Sequence, residues 1–251
     1  MNNESAPILD LTRIRKSCAQ CSLHQLCLPA GIGHEDLERL EDLVRKRKAL
    51  ERGDRLFRVG SPLTSLFVAR SGSFKTVAMN EDGDEQIIGF HLPGEIIGLD
   101  GLGSGVHRCD AEALETAELC EIPMQDLERV ALQIPELQHQ MLRVIGRSMD
   151  RDQDHLEMLG RRHASERVLL FVHGLSERLR MLGRQYDAFT LPMSREEIAS
   201  YLGLVIETVS RSFTRLQEDG IISIRGRQLR ILDLHKLDQI AHSPEVHRAR
   251  G

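Results

Sequence analysis

Tryptophan is absent and only two tyrosines occur. That leaves little aromatic surface on which unstacked bases could rest, and it argues against a single-strand or RNA binder. No apolar run approaches the roughly 18 residues that a membrane-spanning helix needs. The opening MNNESAPILDLTRIRKS carries no apolar core of a secretion signal. The expectation is a cytoplasmic protein with no membrane partner. Excess positive charge is also missing: the formal net charge is −5, so any nucleic-acid surface must be local. Nor is there an even cysteine set. Five cysteines, three of them within ten residues, suggest metal or redox chemistry rather than a disulfide framework. What is there fits an ordinary globular chain, with 41% hydrophobic and 28% charged residues. At 251 residues it is long enough for two cores.

The chain reads as α+β. A cysteine-bearing segment occupies 1–34, and Leu37, Leu40, Leu43 and Val44 predict an amphipathic helix over about 35–49. From Gly53 to about Ile122 the period changes to short apolar runs separated by Gly-Asp, Ser-Gly, Asp-Gly and Pro-Gly. That pattern predicts an antiparallel β-roll, or jelly roll, within a sensor domain at 35–134. A dimerisation helix at 135–163 and a DNA-binding domain at 164–251 complete the division.

Within that helix Leu142, Ile145, Met149, Asp152, Leu156 and Leu159 are spaced 3, 4, 3, 4 and 3, the seam of a two-stranded coiled coil. A homodimer is therefore expected. Met141, Val144 and Met158 lie off the seam and can pack against the chain's own domain. Asp152 is wrong for a plain zipper, because twofold symmetry brings it near its own copy and like charges repel. The interface reads as marginal, and so open to a trigger.

The second domain supplies an output. Ser194-Arg-Glu-Glu197 is a capping box, Gly203 breaks the helix it starts, and a second helix restarts at Val205 or Ile206. Helix, short glycine turn, helix is the helix-turn-helix pattern. Ile198, Ala199, Leu202, Val209, Phe213 and Leu216 can form its core. Glu207, Ser210, Arg211 and Arg215 can share an exposed face with base-reading or phosphate chemistry. The following ISIRGRQLRIL reads as a hairpin wing tipped by Arg225 and Arg227. From 205 to 232 five arginines oppose Glu207, Glu218 and Asp219, a local surplus of +2.

Cys18, Cys21 and Cys27 form a C-x2-C-x5-C run whose soft thiolates suit an iron–sulfur cluster or zinc. Either needs a fourth ligand. Cys120 is the best candidate, Cys109 the spare, and His24 could serve zinc.

Taken together, the chain resembles the Crp/Fnr superfamily of transcription regulators, and within it the oxygen-sensing fumarate-and-nitrate-reduction branch. The resemblance rests on CAQCSLHQLC at 18–27, GDEQIIGFHLPGEIIG at 83–98, ALETAELCEIP at 113–123, DQDHLEML at 152–159 and YLGLVIETVSR at 201–211. It implies a β-roll sensor, a long dimerisation helix and a winged helix-turn-helix. It also implies a four-iron four-sulfur (4Fe-4S) cluster on Cys18, Cys21, Cys27 and Cys120, with Ser22 and Leu26 tuning oxygen access. Glu207, Ser210 and Arg211 match the family's base readers for palindromic TTGAT-type promoter sites in double-stranded DNA. Ser71 and the loop Asp82, Gly83, Asp84 and Glu85 match surfaces that touch RNA polymerase. The implied function is a regulator, not an enzyme, that activates or represses genes of anaerobic metabolism. Cys109 departs from the branch's pattern. Gly94-Glu95 and Arg108 resemble the phosphate cassette of the cyclic-AMP branch, so cyclic-nucleotide control is one alternative trigger and a zinc-stabilised regulator another. Otherwise Glu95 and Arg108 would form a salt bridge at the barrel edge.

Overall fold

The computed structural model describes residues 27, 30, 33, 36, 44–46, 49–79 and 83–242. Eight strands build two four-stranded antiparallel sheets. The first, in the order β1-β8-β3-β6, joins β1 (Arg45–Lys46), β8 (Glu118–Pro123), β3 (Ser65–Ser71) and β6 (Ile96–Ile97). The second, β2-β7-β4-β5, joins β2 (Arg55–Phe57), β7 (Asp110–Ala113), β4 (Phe74–Met79) and β5 (Glu85–His91). Strand alternation sorts side chains between two cores. On β3, Phe67 and Ala69 enter the inter-sheet core with Phe57, Phe74, Ala111 and Leu119. Leu66 and Val68 point the other way, against the helices. A strand covered on both faces explains why SLFVA reads as a continuous apolar run.

Helix α1 (Met124–Ala131) and the long α2 (Pro135–Arg161) cover the outer face of the first sheet. Leu127, Val130, Ile134, Leu137 and Val144 are buried there. Pro135 suits the start of α2, because its ring presets the helical φ and the missing N–H had no partner to lose. The second domain holds α3 (Ala164–Met181), β9 (Ala188–Thr190), α4 (Arg195–Leu202), α5 (Ile206–Glu218), β10 (Ile222–Arg225), β11 (Gln228–Ile231) and α6 (Leu234–Ala241). The wing is a three-stranded sheet, β10-β11-β9. The third strand and α6 escaped the sequence reading.

One expectation needs correction. The helix expected over 35–49 does not run to its end: Arg45 and Lys46 are extended and pair with Glu121 and Cys120, and Leu50 bridges Ala117. Backbone pairing with the open edge of β8 outweighs the helical spacing of Leu40, Leu43 and Val44. Leu37, Leu40 and Leu43 themselves lie outside the described residues.

Arg167 of α3 joins the parts. Its guanidinium donates to the carbonyls of Leu159, Arg162 and Leu202, at 2.7, 3.0 and 3.0 Å. One cation thus caps the C-terminal ends of both α2 and α4, where the helix dipole favours positive charge.

Candidate metal centre and nucleic-acid interface

Strand parity separates the two barrel cysteines. Cys109 shares its face with Ala111 and Ala113 and is 2% exposed in the inter-sheet core. Burial, with the carboxylates of Asp100 and Asp110 nearby, pushes its thiol far up, so it stays protonated. A cysteine ligates a metal as its thiolate. Cys120 lies one step out of phase with Leu119 and faces the helices with Ile122. Cys27 packs into that same apolar cluster, beside Val44, Met124 and Met141. The cluster's apolar lining and two half-buried thiols fit a soft, water-shielded metal group. Gln140 of α2, 2% exposed, donates from Nε2 to the Cys27 carbonyl at 3.0 Å. Cys18, Cys21, Ser22, Leu26 and His24 lie outside the described residues.

Along α2, Leu142, Met149 and Leu156 are 67%, 56% and 69% exposed, an apolar row that no element among the described residues covers. Ile145 and Leu159 are half-buried and Asp152 is exposed. Val144 and Met158 are buried against the chain's own domains. Burial raises the Asp152 carboxyl, against the pull of Arg151 and His155.

In the second domain Ser194 Oγ accepts from the Glu197 N–H at 3.1 Å, and Glu197 accepts in return from the Ser194 N–H at 2.6 Å. This closes the capping box of α4. Gly203 ends α4 at φ +60°, a left-handed turn in which a side chain would be strained. Ile198, Leu202, Val209, Phe213 and Leu216 are all buried between α4 and α5. Glu207, Ser210, Arg211 and Arg215 are exposed along α5. Arg225 and Gly226 turn the wing, and Arg227 donates to the Pro192 carbonyl at 3.1 Å. The surface therefore offers a helix carrying donors and acceptors, flanked by a basic hairpin.

Two family models match this arrangement: a cyclic nucleotide-binding domain over residues 47–133 and a Crp-like helix-turn-helix domain over 166–240. The chain is 41% identical over 237 residues to the transcriptional activator protein Anr of Pseudomonas protegens, covering 94% of this chain and 97% of that one. It is 38% identical over 224 residues to the fumarate and nitrate reduction regulatory protein of Escherichia coli, covering 89% and 90%. The chain belongs to the Crp/Fnr family. Like those relatives, this Crp/Fnr member is a DNA-binding transcription regulator and not an enzyme. Among solved structures it resembles FixK2 from Bradyrhizobium japonicum, at 29% identity and a TM-score of 0.70, over 78% of this chain and 96% of that one.

Crp/Fnr membership makes the cassette residues worth locating. Glu95 does not pair with Arg108. Its carboxylate is held by Arg178 of α3, at 2.6 and 2.9 Å, and by the Leu92 N–H at 2.8 Å, with Arg151 at 3.7 Å. Burial alone would raise the Glu95 carboxyl, but Arg178 and Arg151 outweigh it and hold it below the usual range. Arg108 is exposed, with its backbone N–H bonded to Asp100. Where the stacked Phe57 and His107 rings meet, 3.6 Å between centroids, the barrel is filled by its own side chains. The cyclic-nucleotide cassette is thus split in this regulator: its carboxylate serves a contact between domains.

That contact is broader than one ion pair, and no local pattern announces it. Lys75 of β4 lies 3.1 Å from both Glu112 and Glu197. Burial opposes its charge, yet those two carboxylates leave the Lys75 amine raised. The Ile87 N–H donates to Ser200 Oγ at 2.9 Å. Tyr201 packs among Phe90, Phe171 and His155, with centroids 5.0, 5.9 and 3.9 Å away. The helix-turn-helix is docked on β4 and β5. Ser71, Gly83, Asp84 and Glu85 are exposed on the barrel, and Asp82 lies outside the described residues. Among the described residues no helix is long and apolar enough to cross a membrane.

Proposed function

We propose that this regulator is an oxygen-responsive switch of anaerobic gene expression, working in the cytoplasm as a homodimer on palindromic TTGAT-type sites in double-stranded DNA. Cys18, Cys21, Cys27 and Cys120 would supply the four thiolates for a 4Fe-4S cluster, with Ser22 and Leu26 tuning oxygen access. When bound, that group supplies oxygen-sensitive redox chemistry. The observation that carries the reading is that Cys27 and Cys120 each pack against one apolar cluster that includes residues of α2.

The chain's own residues do the rest. Met141 and Val144 of α2 pack against that cluster, and Gln140 bonds the Cys27 backbone. Leu142 and Ile145 are their immediate neighbours on the helix. A change in how the N-terminal segment is tied therefore bears on the seam directly. Closing Leu142, Ile145, Met149, Leu156 and Leu159 offsets repulsion between the two Asp152 carboxylates. A twofold dimer then sets two α5 helices about 34 Å apart, one DNA turn. Glu207, Ser210 and Arg211 read base edges, while Arg215, Arg225 and Arg227 hold phosphates. Ser71, Asp82, Gly83, Asp84 and Glu85 face RNA polymerase.

The test is anaerobic purification followed by iron and sulfide assay, absorption spectroscopy and DNA binding. About four irons per chain, with broad absorbance that fades in air, are expected. Serine at Cys18, Cys21, Cys27 or Cys120 abolishes both iron and site-specific binding, and serine at Cys109 leaves both. Retention of iron by Cys120→Ser with its loss from Cys109→Ser would overturn the ligand set.

A further inference from the structure

Away from the cysteines and the DNA-reading face, three metal-ligating side chains meet where α6 packs on α3. His173 lies on α3, Asp238 on α6, and His242 caps the C-terminal end of α6. His173 Nε2 is 3.2 Å and His242 Nδ1 3.3 Å from the same oxygen, Asp238 Oδ1. Donor atoms of all three fall within 4.8 Å of one another. The two rings meet edge to face, 5.3 Å between centroids.

A tetrahedral cation with bonds of about 2.0–2.1 Å needs its ligand atoms about 3.3 Å apart, and the His173–Asp238 and His242–Asp238 pairs have that spacing; His242 Nδ1 also lies 2.9 Å from the Asp238 carbonyl oxygen, a bond it exchanges for the cation. Asp238 and His242 are four residues apart, so a single helical turn presents both, and His173 closes the set from a second helix. The cluster also sits at a cleft of about 360 Å³, lined by His173 and His242 and, from α2, by Asp154, His155 and Glu157. Arg151, Arg162 and Arg178 line that cleft as well, and of these Arg178 and Arg151 face Glu95.

We propose that His173, Asp238 and His242 form a binding site for a divalent transition-metal cation, zinc by its donor set, that clips α6 to α3. Imidazole and carboxylate donors suit zinc, and three protein ligands leave a fourth position for water or a cleft carboxylate. The clip has mechanical reach. On α6, Lys236 Nζ also donates to the Asp219 carbonyl at the end of α5, at 2.8 Å, so a fixed α6 braces the DNA-reading helix. The site uses no cysteine and stands independently of the cluster reading.

The experiment is a zinc titration, against a chromophoric chelator, of the full chain with serine at Cys18, Cys21, Cys27 and Cys120. The expected result is one zinc per chain, with H173A and D238N each weakening binding at least tenfold and H235A, on the same helix, leaving it unchanged. D238N keeps an oxygen to accept the existing hydrogen bonds and so preserves the fold. Zinc should raise the melting temperature of the parent by several degrees and that of D238N not at all. Binding that survives H173A and D238N, or that is lost in H235A, overturns the site. So does a parent chain that takes up no zinc at micromolar concentration.

Discussion

Gln140, almost wholly buried on α2, donates a hydrogen bond to the backbone carbonyl of Cys27. The proposed ligand and the tether are therefore separable at one residue. Cys27→Ser keeps the carbonyl and removes the thiol, so iron is lost while the hydrogen bond from Gln140 stays. Gln140→Leu removes one of two hydrogen bonds to the Cys27 carbonyl, which still accepts from the Ala30 N–H, and costs about 0.5–1.5 kcal/mol, with iron retained under anaerobic conditions. Denaturant unfolding alongside iron assay checks both. A Gln140→Leu chain as stable as the parent would show that the tether carries no energy.

Asp152 governs assembly if the seam closes. Asp152→Ala removes two facing carboxylates, and the cluster-free dimer then persists in air. Ile145→Glu adds like charges and keeps the protein monomeric without oxygen. The carboxyl is already raised in the single chain, and a facing copy raises it further. Protonation therefore favours the dimer, which strengthens as pH falls into the carboxyl's range and weakens as pH rises out of it. Sedimentation of both variants, with and without oxygen, is the measurement. An Asp152→Ala protein as monomeric in air as its parent would sink the seam.

Base reading and phosphate holding leave different signatures. Glu207→Ala and Arg211→Ala each lose about 1–3 kcal/mol of discrimination at one base pair. Arg225→Ala and Arg227→Ala weaken binding to every sequence alike and flatten the salt dependence. Site selection with each variant decides between the roles. A wing variant that changed the preferred sequence would reverse them.

His91 makes the fold acid-sensitive. Full burial is the main cause of a pKa lowered to about 4, from 6.5 for the free side chain, and its Nδ1 has no hydrogen-bond partner. The folded state therefore holds the ring neutral where the unfolded chain protonates it. The associated stability is present above about 6.5 and declines as pH falls towards 4, by about 3 kcal/mol in all. His91→Phe should flatten urea midpoints across that window. Midpoints that fall with pH as steeply as in the parent would assign the effect elsewhere.

Arg178 is the corresponding test of domain docking. Arg178→Leu leaves buried Glu95 with only the more distant Arg151 and destabilises the protein by up to about 3 kcal/mol. Arg178→Leu combined with Glu95→Leu recovers most of that loss. Calorimetry of the single and double variants gives the coupling.

The sequence was most readable where local chemistry is decisive. The capping box at Ser194, the turn at Gly203 and the periodic core from Ile198 to Leu216 each depend on neighbours a few residues away. Strand parity, once the sheets were known, separated Cys109 from Cys120. Spacing could not do so, because Cys109 borders and Cys120 lies within a short polar-flanked strand. The docking contacts were illegible for a different reason. Lys75 and Glu197 are 122 residues apart, and Glu197 already had a complete local role as a cap. Nothing in its own neighbourhood announces a second partner. The helix expected over 35–49 failed in the same way, since the edge that claims Arg45 and Lys46 is formed by a strand more than seventy residues later.

That borrowed edge has a consequence for handling the protein. The strand β1 covers one side of β8, pairing Lys46 with Cys120 and Arg45 with Glu121. A chain cut after residue 46 would expose the N–H and C=O groups of β8 along a sheet margin, a template for pairing with another molecule. Removing the N-terminal segment to obtain a simpler, cysteine-poor sensor would therefore yield material that self-associates edge to edge, a route to aggregates unrelated to the regulated dimer.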